Sequence, residues 1–271
     1  MSTGIIYGLI AGKGDLPCRI IEHFHKCSQP FHVVAFDGQT PPETVMGSDH
    51  LWVKLGTVSP IFDYFKKSGV THLVLAGGIK RPTLSELSLD WAGTKLLTRI
   101  GFKSLGDDGL LSAIVKVFEE QGITVVGADE ILQDILVPQG QMTQKTPCDD
   151  DFKDIERGIE ILKKLGEVDV GQAAVIQQGL VLGLEAIEGT SDLIERIRPY
   201  QRTGRGGLLI KMAKPHQNLK VDLPTIGPET IEKMHQSGLI GIAIESGRSQ
   251  ILNKEKTLAL ANQYGIFVYG F

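Results

Sequence analysis

The sequence predicts an α/β protein: an N-terminal Rossmann-like parallel-sheet domain, then a second α/β domain, with a cleft between them. In the first half, short β-branched runs alternate with amphipathic helical patterns, the order that builds a parallel sheet covered by helices on both faces. A break in that pattern at Ile135–Thr146, containing Pro138 and Gly140, precedes a second series of strands and helices. The length of 271 residues exceeds a small module; it suits one large α/β domain or two of roughly 100–150 residues. The expected domains are residues 1–134 and 135–271, with the boundary inside Ile135–Thr146.

Gly4–Ile10 reads as a buried strand and Leu16–Lys26 as a helix with Leu16, Ile20, Ile21 and Phe24 on one face. Phe31–Phe36 is a second strand and Leu51–Leu55 a short third. Ile61–Lys67 is a helix turning Ile61, Phe62 and Phe65 inward, and His72–Ala76 is a strand. Helices over Leu89–Phe102 and from about Asp108 to Gln121 follow; Gly122 ends the latter, and Ile123–Val126 is a strand. In the second half, Asp151–Leu165 is a helix. Ala173–Gln177 and Leu180–Glu185 are strands around a Gln178-Gly179 turn. Helical turns at Leu193–Arg198, a strand at Leu208–Met212 and a helix at Pro228–Ser237 come next. Leu239–Ile244, Lys254–Tyr264 and Ile266–Tyr269 read as strand, helix and strand.

Composition excludes several classes. Apolar residues at 42% and charged residues at 22% are ordinary globular usage, against disorder. Twenty-eight Lys+Arg against 32 Asp+Glu, without a basic cluster, leaves no nucleic-acid footprint. The apolar runs fall short of the roughly 18–20 residues that span a bilayer. Met1-Ser2-Thr3-Gly4 has no charged n-region and Ile5 is expected to open a strand, so no signal peptide is expected. Cys18, Cys27 and Cys148 are odd in number and lack C-x-x-C spacing, against a disulfide frame or zinc site and in keeping with a reducing cytoplasm.

The strongest local signal is Gly8-Leu9-Ile10-Ala11-Gly12-Lys13-Gly14 between a strand and a helix. Gly12 and Gly14 would let backbone N–H groups approach a phosphate at the helix N-terminus; the plainer reading is a βα turn without ligand. Asp37 ends the second strand, where a ribose-binding acid sits in dinucleotide folds. The spacing resembles that of short-chain dehydrogenases, but none of the five tyrosines has a Lys four residues on. Gly77, Gly78, Lys80 and Arg81 follow the His72–Ala76 strand, where open α/β sheets bind ligands; a solvated loop is the alternative. Asp107 and Asp108 open a helix, as caps or as a carboxylate for magnesium or ligand hydroxyls. Asp149-Asp150-Asp151 reads as solvation and capping. Glu185–Asp192 places several acids with Gly189-Thr190 at a strand end, where Asp192 could cap the next helix. In Lys211–Gly227, Lys211, Lys214 and Lys220 offer point charges for phosphate, and Asp222, between apolar neighbours, could hold magnesium or position water. The seven histidines, His216 among them, show no metal-ligand spacing.

Gly8–Pro17, Gly106–Leu111, Glu188–Thr190 and Lys211–Gly227, in this order, resemble the LpxI-type UDP-2,3-diacylglucosamine pyrophosphatases of lipid A biosynthesis over essentially the whole chain. The most specific parts are Gly-Asp-Asp-x-Leu-Leu and the run from Lys211 through Asp222-Leu-Pro-x-x-Gly. The resemblance implies a magnesium-dependent cytoplasmic hydrolase of Gram-negative bacteria with a nucleotide-binding N-terminal and a catalytic, lipid-substrate C-terminal domain. It further implies that water attacks the β-phosphorus of UDP-2,3-diacylglucosamine, giving UMP and 2,3-diacylglucosamine 1-phosphate (lipid X). It assigns Asp222 as the catalytic aspartate and candidate metal ligand. Gly12, Gly14, Gly77, Gly78, Lys80, Asp107, Asp108, Glu188, Thr190, Lys211, Lys214 and Gln217 become candidate substrate-binding residues. The lipid substrate implies transient peripheral contact with the inner membrane and an apolar cleft. The sequence departs from relatives at Ser191, which moves the following acid to Asp192, and at Asn218 and Lys220, where relatives often have Asp and Arg. An NAD(P)-dependent oxidoreductase and a nucleotide-binding module without chemistry are the competing readings.

Overall fold

The computed structural model describes residues 4–80, 87–100, 107–215 and 217–271. The chain divides into two compact units, residues 1–133 and 134–271.

In the first unit, β1 (Tyr7–Ala11), β2 (Phe31–Phe36), β3 (His50–Val53), β4 (His72–Ala76) and β5 (Thr124–Val125) form a parallel sheet in the order β3-β2-β1-β4-β5. Chain order departs from β1 in both directions, so a crevice opens at the C-terminal ends of β1 and β4, the usual ligand position in such sheets. α1 (Asp15–Lys26) buries the apolar stripe of Leu16, Ile20, Ile21 and Phe24. Asp15 in its first turn and Lys26 in its last complement the helix dipole. β1 begins at Tyr7, where Phe24 stacks at 4.8 Å, whereas Gly4 and Ile5 are exposed; the expected strand start at Gly4 is therefore corrected. α2 (Ser59–Lys67) buries Ile61 and Phe65, while Phe62 is only half-buried, its ring 5.0 Å from that of Phe118.

α3 (Trp91–Ile100) and α4 (Asp107–Glu120) match two expected helices, although Gly101 and Phe102, expected to end the first, lie outside the described residues. Asp90 joins two helices: its carboxylate accepts N–H groups from Val58 (3.2 Å) and Ser59 (2.7 Å) at the start of α2, and from Gly93 (2.7 Å) in α3. α5 (Ala128–Ile131) is one turn, too short for a sequence period, held by Glu130 accepting the Gly127 N–H at 2.8 Å.

The second unit has a mixed sheet in the order β6-β13-β11-β9-β7-β8. β9 (Leu208–Lys211), β11 (Gly241–Ile244) and β13 (Phe267–Gly270) run parallel. β7 (Ala173–Gln177), β8 (Leu180–Leu184) and β6 (Gly140–Gln141) are antiparallel to their neighbours. The two-residue strands β10 (Thr225–Ile226) and β12 (Gln250–Ile251) pair separately and are too short to leave a period in the sequence. Alternation along β9 sends Leu208 and Ile210 into the layer that packs with Ile155 and Leu162 of α6 (Asp149–Glu167). Leu209 faces the other layer, which includes Leu193 and Ile194 of α7 (Gly189–Arg196), Ile231 and Met234 of α8 (Pro228–Gln236) and Ala261 of α9 (Lys254–Gln263). Lys211, two residues on, shares that second face.

Asp149 and Asp150 are solvated, as expected. Asp151 is not: it is 3% exposed, accepts the Cys148 N–H at 2.9 Å and pairs with Arg205. Arg205 also grips Asp154, whose oxygens accept the Gln178 and Gly179 N–H groups at the β7–β8 turn. Burial of these carboxylates is possible because each charge is paired and hydrogen-bonded. Asp192 lies inside the first turn of α7 and is exposed; Glu188 holds the N-cap position, which corrects the expected cap.

Candidate functional site

In the first unit, the β1–α1 loop and the segment after β4 are laced together by backbone. The Gly12 N–H donates to Ala76 O (2.8 Å), Lys13 N–H to Gly78 O (2.8 Å) and Gly78 N–H to Lys13 O (3.0 Å). A Cβ on Gly12 would stand 2.6 Å from Gly78 O, and one on Gly77, whose φ is +87°, 2.6 Å from Lys13 O. Gly12 and Gly77 are thus required by loop-on-loop contact whatever binds nearby. Gly14 differs: it is the N-cap of α1 with φ +99°, it has no side chain to cap the helix with, and the space where a Cβ would stand is open, as it is at Gly78. Lys80 is exposed, its N–H donating to Gln39 Oε1 at 3.0 Å. Beside these loops, an open depression past the ends of β1–β3 is lined by Lys13, Asp37, Thr40, Pro41 and Trp52. Thr40, which the sequence did not single out, fixes its floor by donating to Ala11 O and accepting the Phe36 N–H at 2.9 Å.

Asp107 and Asp108 form the first turn of α4. Gly106 of that motif, Arg81 and His216 lie outside the described residues.

The second unit gathers the other candidates at the C-terminal end of β9. The Lys211 ammonium, 5% exposed, donates to Thr190 Oγ1 (2.8 Å) and Thr225 O (3.0 Å). The Thr190 hydroxyl donates in turn to Glu185 Oε1 at 2.6 Å, and Glu185 Oε2 accepts the Gln172 N–H at 3.1 Å. The Gln172 side-chain carbonyl accepts from Gln217 Nε2 (3.3 Å), which also donates to Asp222 Oδ2 (2.5 Å). Gln217 is fixed in turn by the Lys214 N–H donating to its Oε1 at 2.9 Å. Burial drives the Lys211 pKa down, and the negative charges of Glu185 and Asp222 oppose that fall. Asp222 is half-buried at the end of a turn in which its N–H donates to Asn218 O at 3.1 Å. The Lys214 ammonium pairs with Asp169 at 2.5 Å, and Lys220 is exposed.

Thr190, Lys211, Gln217 and Asp222, candidates named on the family resemblance, are thus linked through Glu185 and Gln172 into one hydrogen-bonded network. Glu188 is engaged with Arg196 at 2.6 Å and the Ala186 N–H at 3.2 Å. Its carboxyl sits below the ordinary range through its own backbone N–H and then, against the opposing effect of burial, through Arg196. Gln172, Glu185, Thr225 and Gln250, which donates to Thr225 Oγ1 at 2.7 Å, complete the site. Of these, Glu185 lies in the segment noted for its acids and Thr225 within the Lys211–Gly227 stretch; Gln172 and Gln250 carry no local signal. The constellation offers a desolvated cation beside a half-buried carboxylate, a pairing suited to binding phosphoryl oxygens and orienting water.

Residues 7–135 match the family model for the LpxI N-terminal domain and residues 138–269 that for the LpxI C-terminal domain. The chain is 34% identical over 272 aligned positions to the UDP-2,3-diacylglucosamine pyrophosphatase LpxI of Caulobacter vibrioides, covering 97% of this chain and 96% of that one. A biotin carboxylase domain of a thermophilic 2-oxoglutarate carboxylase overlaps at a TM-score of 0.27 and 12% identity, over 62% of this chain and 34% of that one, too slight a likeness to bear on fold or function. With both domain models matched in sequence and a relative aligned almost end to end, the chain belongs to the LpxI family.

Proposed function

We propose that the protein hydrolyses the diphosphate of UDP-2,3-diacylglucosamine to UMP and 2,3-diacylglucosamine 1-phosphate in lipid A biosynthesis. The observation that carries this is the convergence of Lys211, Thr190, Gln217 and Asp222 in a chain aligned end to end with an LpxI pyrophosphatase. Asp222 orients a water and takes its proton as the water oxygen bonds the β-phosphorus. The bond from that phosphorus to the bridging oxygen breaks, and UMP leaves with the electron pair. Lys211 balances charge on the phosphoryl oxygens, and Thr190 and Gln217 keep the two groups in place.

Among the described residues no three His, Cys, Asp or Glu side chains gather as a metal site. Magnesium nonetheless fits a sparser donor set, because it commonly takes one or two carboxylates with water and substrate phosphate oxygens. Asp222 would hold it, and the ion would supply further neutralisation of phosphoryl charge.

In the first unit, the α1 N-terminus at Gly14, the Gly78–Lys80 segment and Asp37 are read as the uridine nucleotide's contacts, with Asp107 and Asp108 as further candidates. The position of Asp37 after β2 supports a ribose contact. In the second unit, Ile187 is fully exposed, and Val168 and Val170 are also exposed, apolar side chains available for the peripheral membrane contact that the lipid substrate calls for. No described helix is long and apolar enough to cross a membrane.

The test is incubation of the purified chain with UDP-2,3-diacylglucosamine, with and without magnesium, and measurement of UMP. Release that needs the ion supports both parts; release in a chelator refutes the metal assignment, and no release under any condition refutes the activity.

A further inference from the structure

Glu185 belongs to neither the catalytic nor the substrate-contact set above, yet it is a carboxylate only 7% exposed at the heart of the second unit's site. Both of its oxygens meet donors: the Thr190 hydroxyl at 2.6 Å and the Gln172 N–H at 3.1 Å. Each donor begins an arm that leads to Asp222. Because the Thr190 hydroxyl donates its hydrogen bond to Glu185, its lone pairs are turned to the Lys211 ammonium, and the Asp222 charge acts on that ammonium. On the other side, Gln172 accepts from Gln217, whose amide also donates to Asp222. The two backbones are pressed together at this point, since a Cβ on Gly171 would fall 2.1 Å from Glu185 O.

We propose that Glu185 is the positioning residue of this site, its carboxylate fixing the Thr190–Lys211 arm and the Gln172–Gln217 arm so that the ammonium and the Asp222 carboxylate meet the diphosphate in register. The inference rests on the reading that Lys211 and Asp222 act on that diphosphate. An amide cannot replace the carboxylate without loss. Glu185 faces two donors, so a glutamine would turn its NH2 against one of them, and the buried Lys211 would lose a neighbouring counter-charge.

The test measures kcat and KM for UMP release from UDP-2,3-diacylglucosamine by the full chain, with thermal melting in parallel, for wild type, Glu185→Gln, Thr190→Val and the double variant. Misplaced groups cost turnover, so Glu185→Gln is expected to lower kcat by roughly 10- to 100-fold. KM should stay within about twofold and melting close to wild type. Thr190→Val breaks the same arm, so the double variant should be no slower than the slower single variant. A folded Glu185→Gln protein with wild-type kcat overturns the proposal. So do losses that multiply in the double variant, or a lowered melting temperature with kcat of the folded protein intact. If Glu185→Gln does not fold, Thr190→Val alone decides: a wild-type kcat overturns the proposal and a lowered kcat at constant KM upholds it. A wild-type chain that releases no UMP overturns the underlying reading, and the proposal with it, a result distinct from any difference between variants.

Discussion

Replacing Asp90 by Ala should remove a cap shared by two helices of the first unit. Three backbone N–H groups, at 3.2, 2.7 and 2.7 Å, converge on this carboxylate. Burial alone would raise its pKa, but the hydrogen bonds from Gly93, Ser59 and Val58 outweigh that and hold it at about 2 against an ordinary 3.8. At about 1.4 kcal/mol per pKa unit that difference corresponds to roughly 2.5 kcal/mol. Solvent screening of a partly exposed group reduces it to about 1–2 kcal/mol. Losing an Asp cap costs about 1 kcal/mol per helix, which gives about 2 kcal/mol for two by an independent route. Because the folded-state pKa is depressed, this stability is fully present above pH 3.8 and is lost as the pH falls through about 2. Urea unfolding of wild type and Asp90→Ala, followed by a probe in the first unit such as Trp52, should show a gap of about 2 kcal/mol at pH 7 that narrows steadily below pH 4. An equal gap at pH 7 and pH 2.5 would refute the electrostatic account; no gap at pH 7 would refute the cap itself.

Asp222→Ala should keep the fold and lower UMP release by roughly 100-fold or more, read as kcat with melting as control; near-wild-type turnover would move attention to Asp107 and Asp108. Asp37→Asn should weaken UMP binding by about 1–2 kcal/mol, measured by calorimetry, because a charged acceptor for the ribose hydroxyls is lost; unchanged affinity counts against a ribose at the end of β2. Lys211→Met keeps the apolar stem but leaves Thr225 O without its donor and Glu185 without a neighbouring charge. It should destabilise the second unit by about 2–4 kcal/mol while abolishing turnover.

Much of this was legible in the sequence because period and burial coincide there. The expected strands at Phe31–Phe36, His72–Ala76 and Ala173–Gln177 match the observed bounds, since β-branched runs bounded by turns leave little alternative. β10, β12 and α5 were invisible because elements of two to four residues have no period to read. Lys211 and Asp222 stood out in a charged stretch with apolar neighbours, and Thr190 and Gln217 through the family resemblance. Gln172 did not, because its part is played by a backbone N–H and an amide that tertiary contact alone brings to Glu185 and Gln217. Asp151 caps its helix as the acidic run suggests, but its burial was not legible: in sequence it is one of three like charges at a helix start, and the distant Arg205 pairs with it.

The clasp between the β1–α1 loop and the segment after β4 has a consequence for isotope exchange. The amide hydrogens of Gly12, Lys13 and Gly78 are already committed to backbone carbonyls, so they should exchange slowly with deuterated solvent whether or not a nucleotide is present. The first turn of α1 is different: its N-cap, Gly14, has no side chain to cap it with, and Pro17 carries no amide hydrogen at all. The amides of Gly14, Asp15 and Leu16 are then those whose exchange a bound phosphate would slow. A footprint of UMP confined to that first turn, beside the unchanging amides of Gly12, Lys13 and Gly78, would separate occupancy of the crevice from a general stiffening of the sheet.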